Sequence, residues 1–229
     1  MTHNAVIIVA GGRGTRFGGP TPKQFLNLDG RPVLMHTIEA FVQAGVSDLD
    51  IIVVLPHDQR STWQQLCSKY GFSVNHTVVD GGNSRFESVR NGIRAIEACG
   101  NVDGVIAVHD GVRPLAGTEL IKRVFNEAAQ FGSAIPVVNV TDSIRAVDGD
   151  SASHIVPRST LRAVQTPQAF NAAQLIAAYR CEPSDEFTDD ASVFEAADHS
   201  VHLTEGNTRN LKITHPIDIL VAEKLIEND

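Results

Sequence analysis

Several short segments concentrate residue types suited to phosphates and hydroxyls. The first is Ala10-Gly11-Gly12-Arg13-Gly14-Thr15-Arg16-Phe17-Gly18-Gly19, with Pro22-Lys23-Gln24 just downstream. Glycines allow tight turns and let backbone N–H groups approach phosphate oxygens closely. An isolated glycine cluster is more often an ordinary turn, and a lone cation is more often a solvated surface charge. Two cations on one glycine-rich loop, Arg16 and Lys23, suit a polyphosphate. The loop is not a P-loop, because no GK[ST] follows. It also departs from the dinucleotide fingerprint: Gly12-x-Gly14-x-x-Phe17 places Phe where a third glycine is needed for helix packing.

His109-Asp110-Gly111-Val112-Arg113-Pro114 follows the apolar run Val105–Val108. An Asp there can hold Mg²⁺ directly or through water, orient a substrate hydroxyl, or simply form a turn. His109 reads as structural. Gly81-Gly82-Asn83-Ser84-Arg85-Phe86-Glu87-Ser88 combines a glycine loop, whose backbone could meet a base edge, with a capping box from Ser84 to Glu87. Ser88 lies one helical turn beyond Ser84. Arg158, then Gln165-Thr166-Pro167-Gln168-Ala169-Phe170 and Thr188-Asp189-Asp190-Ala191, come later. The last of these reads as a helix N-cap with acids in the first turn. Lys212, within Asn210-Leu211-Lys212-Ile213-Thr214, reads as a solvent-facing Lys on an alternating strand.

These segments need a scaffold. Ala5–Ala10, Ile51–Leu55 and Val105–Val108 are short, β-branched and apolar on both faces, as in strands of a parallel sheet covered on both sides. Ser73–Val79 is a weaker strand. Leu34, Ile38, Phe41 and Val42 share a helical face, with Pro32 just inside its start; Phe86, Val89, Ile93 and Ile96 share another. Leu120, Ile121, Val124 and Phe125 form a third, ended near Gly132, and Ile217, Leu220, Val221 and Leu225 a fourth over Pro216–Ile226. The alternation predicts an α/β fold with a mostly parallel sheet and helices on both faces. Ser143–Arg158 departs from it and reads as a hairpin: Ile144–Val147, a turn at Asp148-Gly149-Asp150, and His154–Val156. A lone ribbon is marginally stable, so it must rest on its own domain or on a second subunit.

The 229 residues carry 19 Lys and Arg against 27 Asp and Glu, a net charge of -8. That balance disfavours a broad nucleic-acid or anionic-membrane surface and leaves room for a local basic pocket. Cys67, Cys99 and Cys181 form no CxxC, which excludes a disulfide scaffold or cysteine zinc site and suits a reducing cytoplasm. The early apolar run is too short to span a bilayer and lacks the flanks of a signal peptide. The chain reads as one domain over 1–229, with the ribbon as a subdomain at about 141–160.

Taken in order, AGGRGTRFGGPTPKQFL, GGNSRFESV, HDGVRP, QTPQAF, TDDAS and NLKIT resemble the 2-C-methyl-D-erythritol 4-phosphate cytidylyltransferases of the non-mevalonate isoprenoid pathway. The likeness covers nearly the whole chain. It implies a Rossmann-like nucleotidyltransferase fold with a protruding β-arm that embraces a second subunit. It also implies transfer of a cytidylyl group from CTP to methylerythritol phosphate, with release of pyrophosphate and use of a divalent cation, usually Mg²⁺ held mainly by the CTP phosphates. By this resemblance Arg16, Lys23, Arg158 and Lys212 are catalytic. Arg16 and Lys23 act at the triphosphate; Arg158, reaching from the partner, and Lys212 act at the acceptor phosphate. Ala10, Gly11, Gly12, Gly14, Gly82, Asn83, Ser88, Asp110 and Gly111 fall on the CTP side. Asp110, Arg113, Ser143, Arg158, Thr166 and Lys212 fall on the acceptor side. Asn83 stands where an acid is frequent in the family. The alternatives are a ribitol-5-phosphate cytidylyltransferase and a non-catalytic CTP-binding module.

Overall fold

The computed structural model describes residues 2–11, 21–100, 103–149 and 152–227. The chain runs through β1 (Asn4–Val9), β2 (Asn27–Leu28), β3 (Arg31–Pro32), α1 (Val33–Ala44), β4 (Leu49–Leu55), α2 (Arg60–Tyr70), β5 (Thr77–Asp80) and α3 (Arg85–Cys99). It continues through β6 (Val105–Asp110), α4 (Thr118–Phe131), β7 (Ser133–Asn139), β8 (Ile144–Asp148), β9 (Ala152–Val156), β10 (Arg162–Val164) and β11 (Gln168–Asn171), then α5 (Ala172–Ala178), α6 (Asp190–Ala196), β12 (Leu203–Glu205) and α7 (Pro216–Ile226).

Eight strands form one sheet in the order β10-β7-β11-β6-β1-β4-β5, with β12 beside β7. β5, β4, β1 and β6 are mutually parallel, and β12 is parallel to β7. β10 and β11 are the antiparallel members. The predicted mostly parallel sheet is therefore present. Its centre is apolar on both faces because both are covered. Val6 and Ile8 face a core with Leu34, Phe41, Trp63, Leu120 and Val124. Their neighbours Ala5 and Ile7 face the opposite core with Phe86, Ile93, Leu175 and Phe194. Each fully buried Val, Leu, Ile or Phe contributes about 1.5–3 kcal/mol of hydrophobic stabilisation. A single register slip on β1 would exchange its two sets of contacts.

Some expectations need correction. Val42 is 51% exposed, so the inward face of α1 is narrower than its apolar pattern. Pro32 is the residue before the first turn of α1 rather than inside it. The stripe on α7 is turned outward: Ile217, Leu220 and Val221 are exposed and Ala222 is the buried residue. The weak strand begins later, at Thr77. Residues 210–214 form no strand; that irregular segment is tied down by Ile213 N–H donating to the Val112 carbonyl at 2.9 Å. The ribbon is present as a separate two-stranded sheet of β8 and β9, with Ile144 opposite Val156 and Asp148 opposite Ala152. Residue 150 of its predicted turn lies outside the described residues. Among the described residues no helix is long and apolar enough to cross a membrane.

Candidate functional site

β1 and β6 lie side by side at the centre of the sheet, with Val9 opposite Asp110 at their carboxyl ends. Ligands of open α/β sheets bind outside those ends. A cleft of about 710 Å³ opens there. Where β6 ends, Gly111 donates its N–H to the Val9 carbonyl at 2.8 Å. A Cβ on Gly111 would sit 2.8 Å from the Ala10 side chain, so only glycine fits this crossing. On the other side of Ala10, Gln24 is buried and donates to the Ala10 carbonyl at 2.6 Å. That bond sets the turn Lys23–Phe25 against the end of β1 and brings Lys23 into the cleft lining.

Asp110 is the carboxylate lining the cleft among the described residues. Its Oδ2 lies 3.0 Å from Lys212 Nζ and 3.2 Å from Arg113 Nε. Burial pushes this carboxyl up, but Lys212, Arg85 and Arg113 outweigh burial and hold it at about 2. Asp110 is thus an anion at any physiological pH. Lys212 arrives because its segment is stitched to the 109–113 turn. Arg113 donates to the Asn210 carbonyl at 2.8 Å, and Asn210 donates to the Thr166 carbonyl at 2.8 Å. The Thr166 hydroxyl accepts the Asp110 N–H at 3.0 Å and lies 3.1 Å from His109 Nδ1. His109 is fully buried, and burial lowers its pKa to about 4, so the ring is neutral.

The opposite wall is the loop ahead of α3. Ser84 caps the helix by accepting the Glu87 N–H at 3.1 Å. The reciprocal half of the expected box is shifted by one residue, because the Glu87 carboxylate takes the Asn83 N–H at 2.6 Å. Ser88 Oγ donates to the Ser84 carbonyl at 2.9 Å and accepts the Gly82 N–H at 3.1 Å. A Cβ at Gly82 would lie 2.2 Å from Glu87 Cβ, so this tight loop requires glycine.

Arg85 and Asp190 were legible only as residues of helix starts. In the fold Arg85 lines the cleft and grips Asp190 with two bonds, at 2.9 and 2.5 Å. Asp190 is fully buried and also takes the Tyr179 hydroxyl at 2.7 Å. Burial works against the Arg85 charge, but Asp190 more than restores it and drives the guanidinium pKa up. Gln168, buried on β11, accepts the N–H groups of Asp190 and Ala191, each at 3.0 Å. Asp189 caps α6 as expected, in a reciprocal box with Ser192.

The cleft thus collects Ala10, Gly11, Lys23, Gly82, Asn83, Ser88, Asp110 and Lys212 from the predicted set. Gly111, Arg113 and Thr166 lie behind it and support Asp110 and Ala10. Ser143 and Arg158 flank the ribbon strands and do not line their own chain's cleft; Arg158 donates to the Thr141 carbonyl at 2.5 Å. Gly12, Gly14 and Arg16 lie outside the described residues. Lys212 is exposed as expected, but it stands on an irregular segment rather than a strand and is paired with Asp110. Sequence reasoning missed Arg85 and Gln24 as parts of the site; the signal available was their position inside the quoted motifs. Among the described residues no group of three or more His, Cys, Asp or Glu is arranged to hold a metal. Asp110, the carboxylate of the cleft, is already paired with Lys212 and Arg113.

Residues 4–228 match the family model described as IspD, 2-C-methyl-D-erythritol 4-phosphate cytidylyltransferase. The protein of that name from Bacteroides thetaiotaomicron is 48% identical over 222 residues, covering 97% of this chain and 99% of its own. The one from Porphyromonas gingivalis is 47% identical over 224 residues, 96% of each chain. The crystal structure of 2-C-methyl-D-erythritol 4-phosphate cytidylyltransferase from Thermus thermophilus superposes with a TM-score of 0.77 at 31% identity, covering 99% of this chain and 100% of that one.

Proposed function

The chain belongs to the 2-C-methyl-D-erythritol 4-phosphate cytidylyltransferase family, and from that premise we propose that its cleft transfers a cytidylyl group from CTP to 2-C-methyl-D-erythritol 4-phosphate. A phosphate oxygen of the acceptor attacks the α-phosphorus of CTP in line. The bond from the α-phosphorus to the bridging oxygen breaks, and pyrophosphate leaves with that electron pair. The products are 4-diphosphocytidyl-2-C-methyl-D-erythritol and pyrophosphate. The observation that carries the reading is one cleft, at the carboxyl ends of β1 and β6, lined by Lys23 and Lys212 on one hand and by the Gly82–Ser84 loop with Arg85 and Ser88 of α3 on the other.

The acceptor phosphate is already an anion, so the reaction needs no strong general base. The barrier lies in bringing two anions together and in stabilising charge on phosphoryl oxygens. Lys23 serves the triphosphate, with Arg16 of the preceding glycine-rich sequence. Lys212, aimed by Asp110, serves the acceptor phosphate. Gly82 and Asn83 have their N–H groups taken by Ser88 and Glu87. At Gly82 and Asn83 the backbone then offers a base carbonyl oxygen, which pairs with the amino group of cytosine and not with the carbonyl of uracil. Asp190 largely neutralises Arg85, which suits it to a neutral group of the nucleotide rather than to a phosphate.

A Mg²⁺ ion, held mainly by the CTP phosphates rather than by side chains of this chain, would supply charge neutralisation there. Arg158 completes the acceptor site from the partner of a homodimer joined through the ribbon. Val147 and Ile155, 76% and 70% exposed on the ribbon, support that reading, because an apolar ribbon gains stability by being covered. The unpaired Cys67, Cys99 and Cys181 suit a cytoplasmic enzyme. Pyrophosphate release from CTP and Mg²⁺ tests the function. Release is expected with methylerythritol 4-phosphate and not with ribitol 5-phosphate; release with ribitol 5-phosphate alone overturns the acceptor, and silence with both overturns the activity.

A further inference from the structure

His109 follows the apolar run of β6, is fully buried, and does not line the cleft. Its two ring nitrogens nevertheless have opposite hydrogen-bonding roles fixed by their surroundings. Nε2 lies 3.0 Å from the Arg113 carbonyl. A carbonyl oxygen can only accept, so Nε2 carries the hydrogen. The neutral ring then has a bare Nδ1, which can only accept. The group beside it is the Thr166 hydroxyl, at 3.1 Å, which therefore donates. A hydroxyl has one hydrogen, and this one is committed to His109. Towards the Asp110 N–H, 3.0 Å away, Thr166 Oγ1 is an acceptor.

The resulting chain has one direction. Asp110 N–H donates to Thr166, Thr166 donates to His109, and His109 donates to the carbonyl of Arg113. Both ends close on the turn that bears the carboxylate: Arg113 also returns its N–H to the Asp110 carbonyl at 3.0 Å and its Nε to the carboxylate at 3.2 Å. Phe41 fixes the ring plane by an edge contact with centroids 5.1 Å apart.

We propose that His109 is a positioning residue for the transfer reaction. By taking the Thr166 proton it makes Thr166 an acceptor towards Asp110, holds the 109–113 turn in one conformation, and so aims the Asp110 carboxylate at Lys212. Thr166 acts through Asp110 and does not donate its proton to the acceptor phosphate. The kinetic part of this inference rests on the cytidylyltransferase reading; the relay itself does not.

Two measurements separate the two. Long-range imidazole ¹H–¹⁵N spectra of the wild-type chain are expected to show His109 as the Nε2–H tautomer with a hydrogen-bonded Nδ1, and Thr166→Val is expected to move Nδ1 to the position of an unbonded imine. A His109 ring protonated on Nδ1, or unchanged by Thr166→Val, overturns the relay whether or not the chain is active. Steady-state pyrophosphate release then reads the consequence. His109→Phe, which keeps an aromatic ring beside Phe41, and Thr166→Val are each expected to lower kcat/KM for the acceptor by about 10- to 100-fold, the usual range for supports behind a site. KM for CTP is expected to stay near its wild-type value. Thr166→Ser recovers most of what Thr166→Val loses, and the double variant is no worse than either single one, because both cut the same chain. Losses that multiply in the double variant, or that fall equally on both substrates, make His109 merely structural and overturn its role. If His109→Phe does not fold, the near-isosteric Thr166→Val and Thr166→Ser pair decides alone. A wild-type chain with the relay intact and no pyrophosphate release overturns the function and leaves the relay standing.

Discussion

The Asp110 centre and the β8–β9 ribbon contain comparable chemistry in opposite settings. At the centre, Lys212 and Arg113 converge on one carboxylate that is 13% exposed, and the segments that carry them are bonded to one another. Charges held this way are pre-aimed and need little reorganisation when a ligand arrives. The ribbon carries Arg158 and Ser143 at its roots and pairs only with itself. Its Arg158 bonds a carbonyl of its own connecting segment. A cation placed so contributes little in isolation. The contacts that hold Asp110 lie within one chain, whereas Ser143 and Arg158 do not line their own chain's cleft.

The largest expected effect falls on the support behind the centre. Asp190→Ala strands the Arg85 guanidinium and removes the partner of the Tyr179 hydroxyl. Removing one member of a buried ion pair costs about 3–5 kcal/mol, and with Arg85 31% exposed on the cleft side the lower end of that range applies. A fall of that size in the urea-unfolding free energy is expected, while Asp148→Ala on the ribbon is expected to change it by less than about 0.5 kcal/mol. Equal effects would erase the contrast between the two regions.

Next come the cleft cations. Lys23→Ala and Lys212→Ala are each expected to lower kcat by about 10²–10³, corresponding to roughly 2.7–4 kcal/mol of barrier, as for removal of one preorganised charge-stabilising donor. The chain should remain folded, since Lys212 is 44% exposed and exposed pairs add little stability. Near-normal turnover by Lys23→Ala would remove the electrostatic mechanism.

The centre should also show in acid. Burial holds the His109 pKa at about 4 against an ordinary 6.5, and cations hold Asp110 at about 2 against 3.8. In both cases the unfolded chain takes up protons at higher pH than the folded one. Stability is therefore full above pH 6.5, declines towards pH 4 through His109, and declines again from 3.8 towards 2 through Asp110. At about 1.4 kcal/mol per pH unit the His109 part amounts to about 3 kcal/mol. Urea titrations from about pH 7 to about pH 4 are expected to show this slope, and His109→Phe is expected to flatten it. An unchanged slope in that variant would assign the decline elsewhere.

Much of this arrangement was legible in the sequence, and the misses have physical causes. β1, β4 and β6 were visible because strands covered on both faces are continuously apolar. α2 was not, because Trp63 is its only fully buried residue and only the partly buried Leu66, Cys67 and Tyr70 join it on an otherwise polar helix. β11 hides Gln168, a buried amide that caps another helix. In α7 the apolar stripe was real but its inward orientation was not, and at Lys212 the expected exposure holds while the expected strand does not. The α7 stripe faces outward, and Leu211 and Ile213 alternate with Lys212 without forming a strand. The cleft motifs could be named one by one, but their pairing could not. Arg85 meets Asp190 across 105 positions of chain, and local pattern carries no record of such a contact.

The smallest effect on the fold is the most informative about the ribbon. Val147 and Ile155 are 76% and 70% exposed, so Val147→Ser with Ile155→Ser removes almost no buried area from the single chain. Changes at such positions move stability by about 0.5 kcal/mol or less. If a second subunit covers the ribbon, the same changes strip apolar area from that interface. Sedimentation is then expected to shift from dimer to monomer and acceptor turnover to fall, with CTP binding retained. Subunit mixing sharpens this. Arg158→Ala and Lys212→Ala chains are each impaired alone, but a dimer of one with the other contains one site with Lys212 from one subunit and Arg158 from its partner. Random exchange of equal amounts should restore about a quarter of wild-type sites, as two-fold symmetry requires. No recovery on mixing would confine Arg158 to its own chain, and the ribbon would then lose its role in the chemistry while the Asp110 centre kept its own.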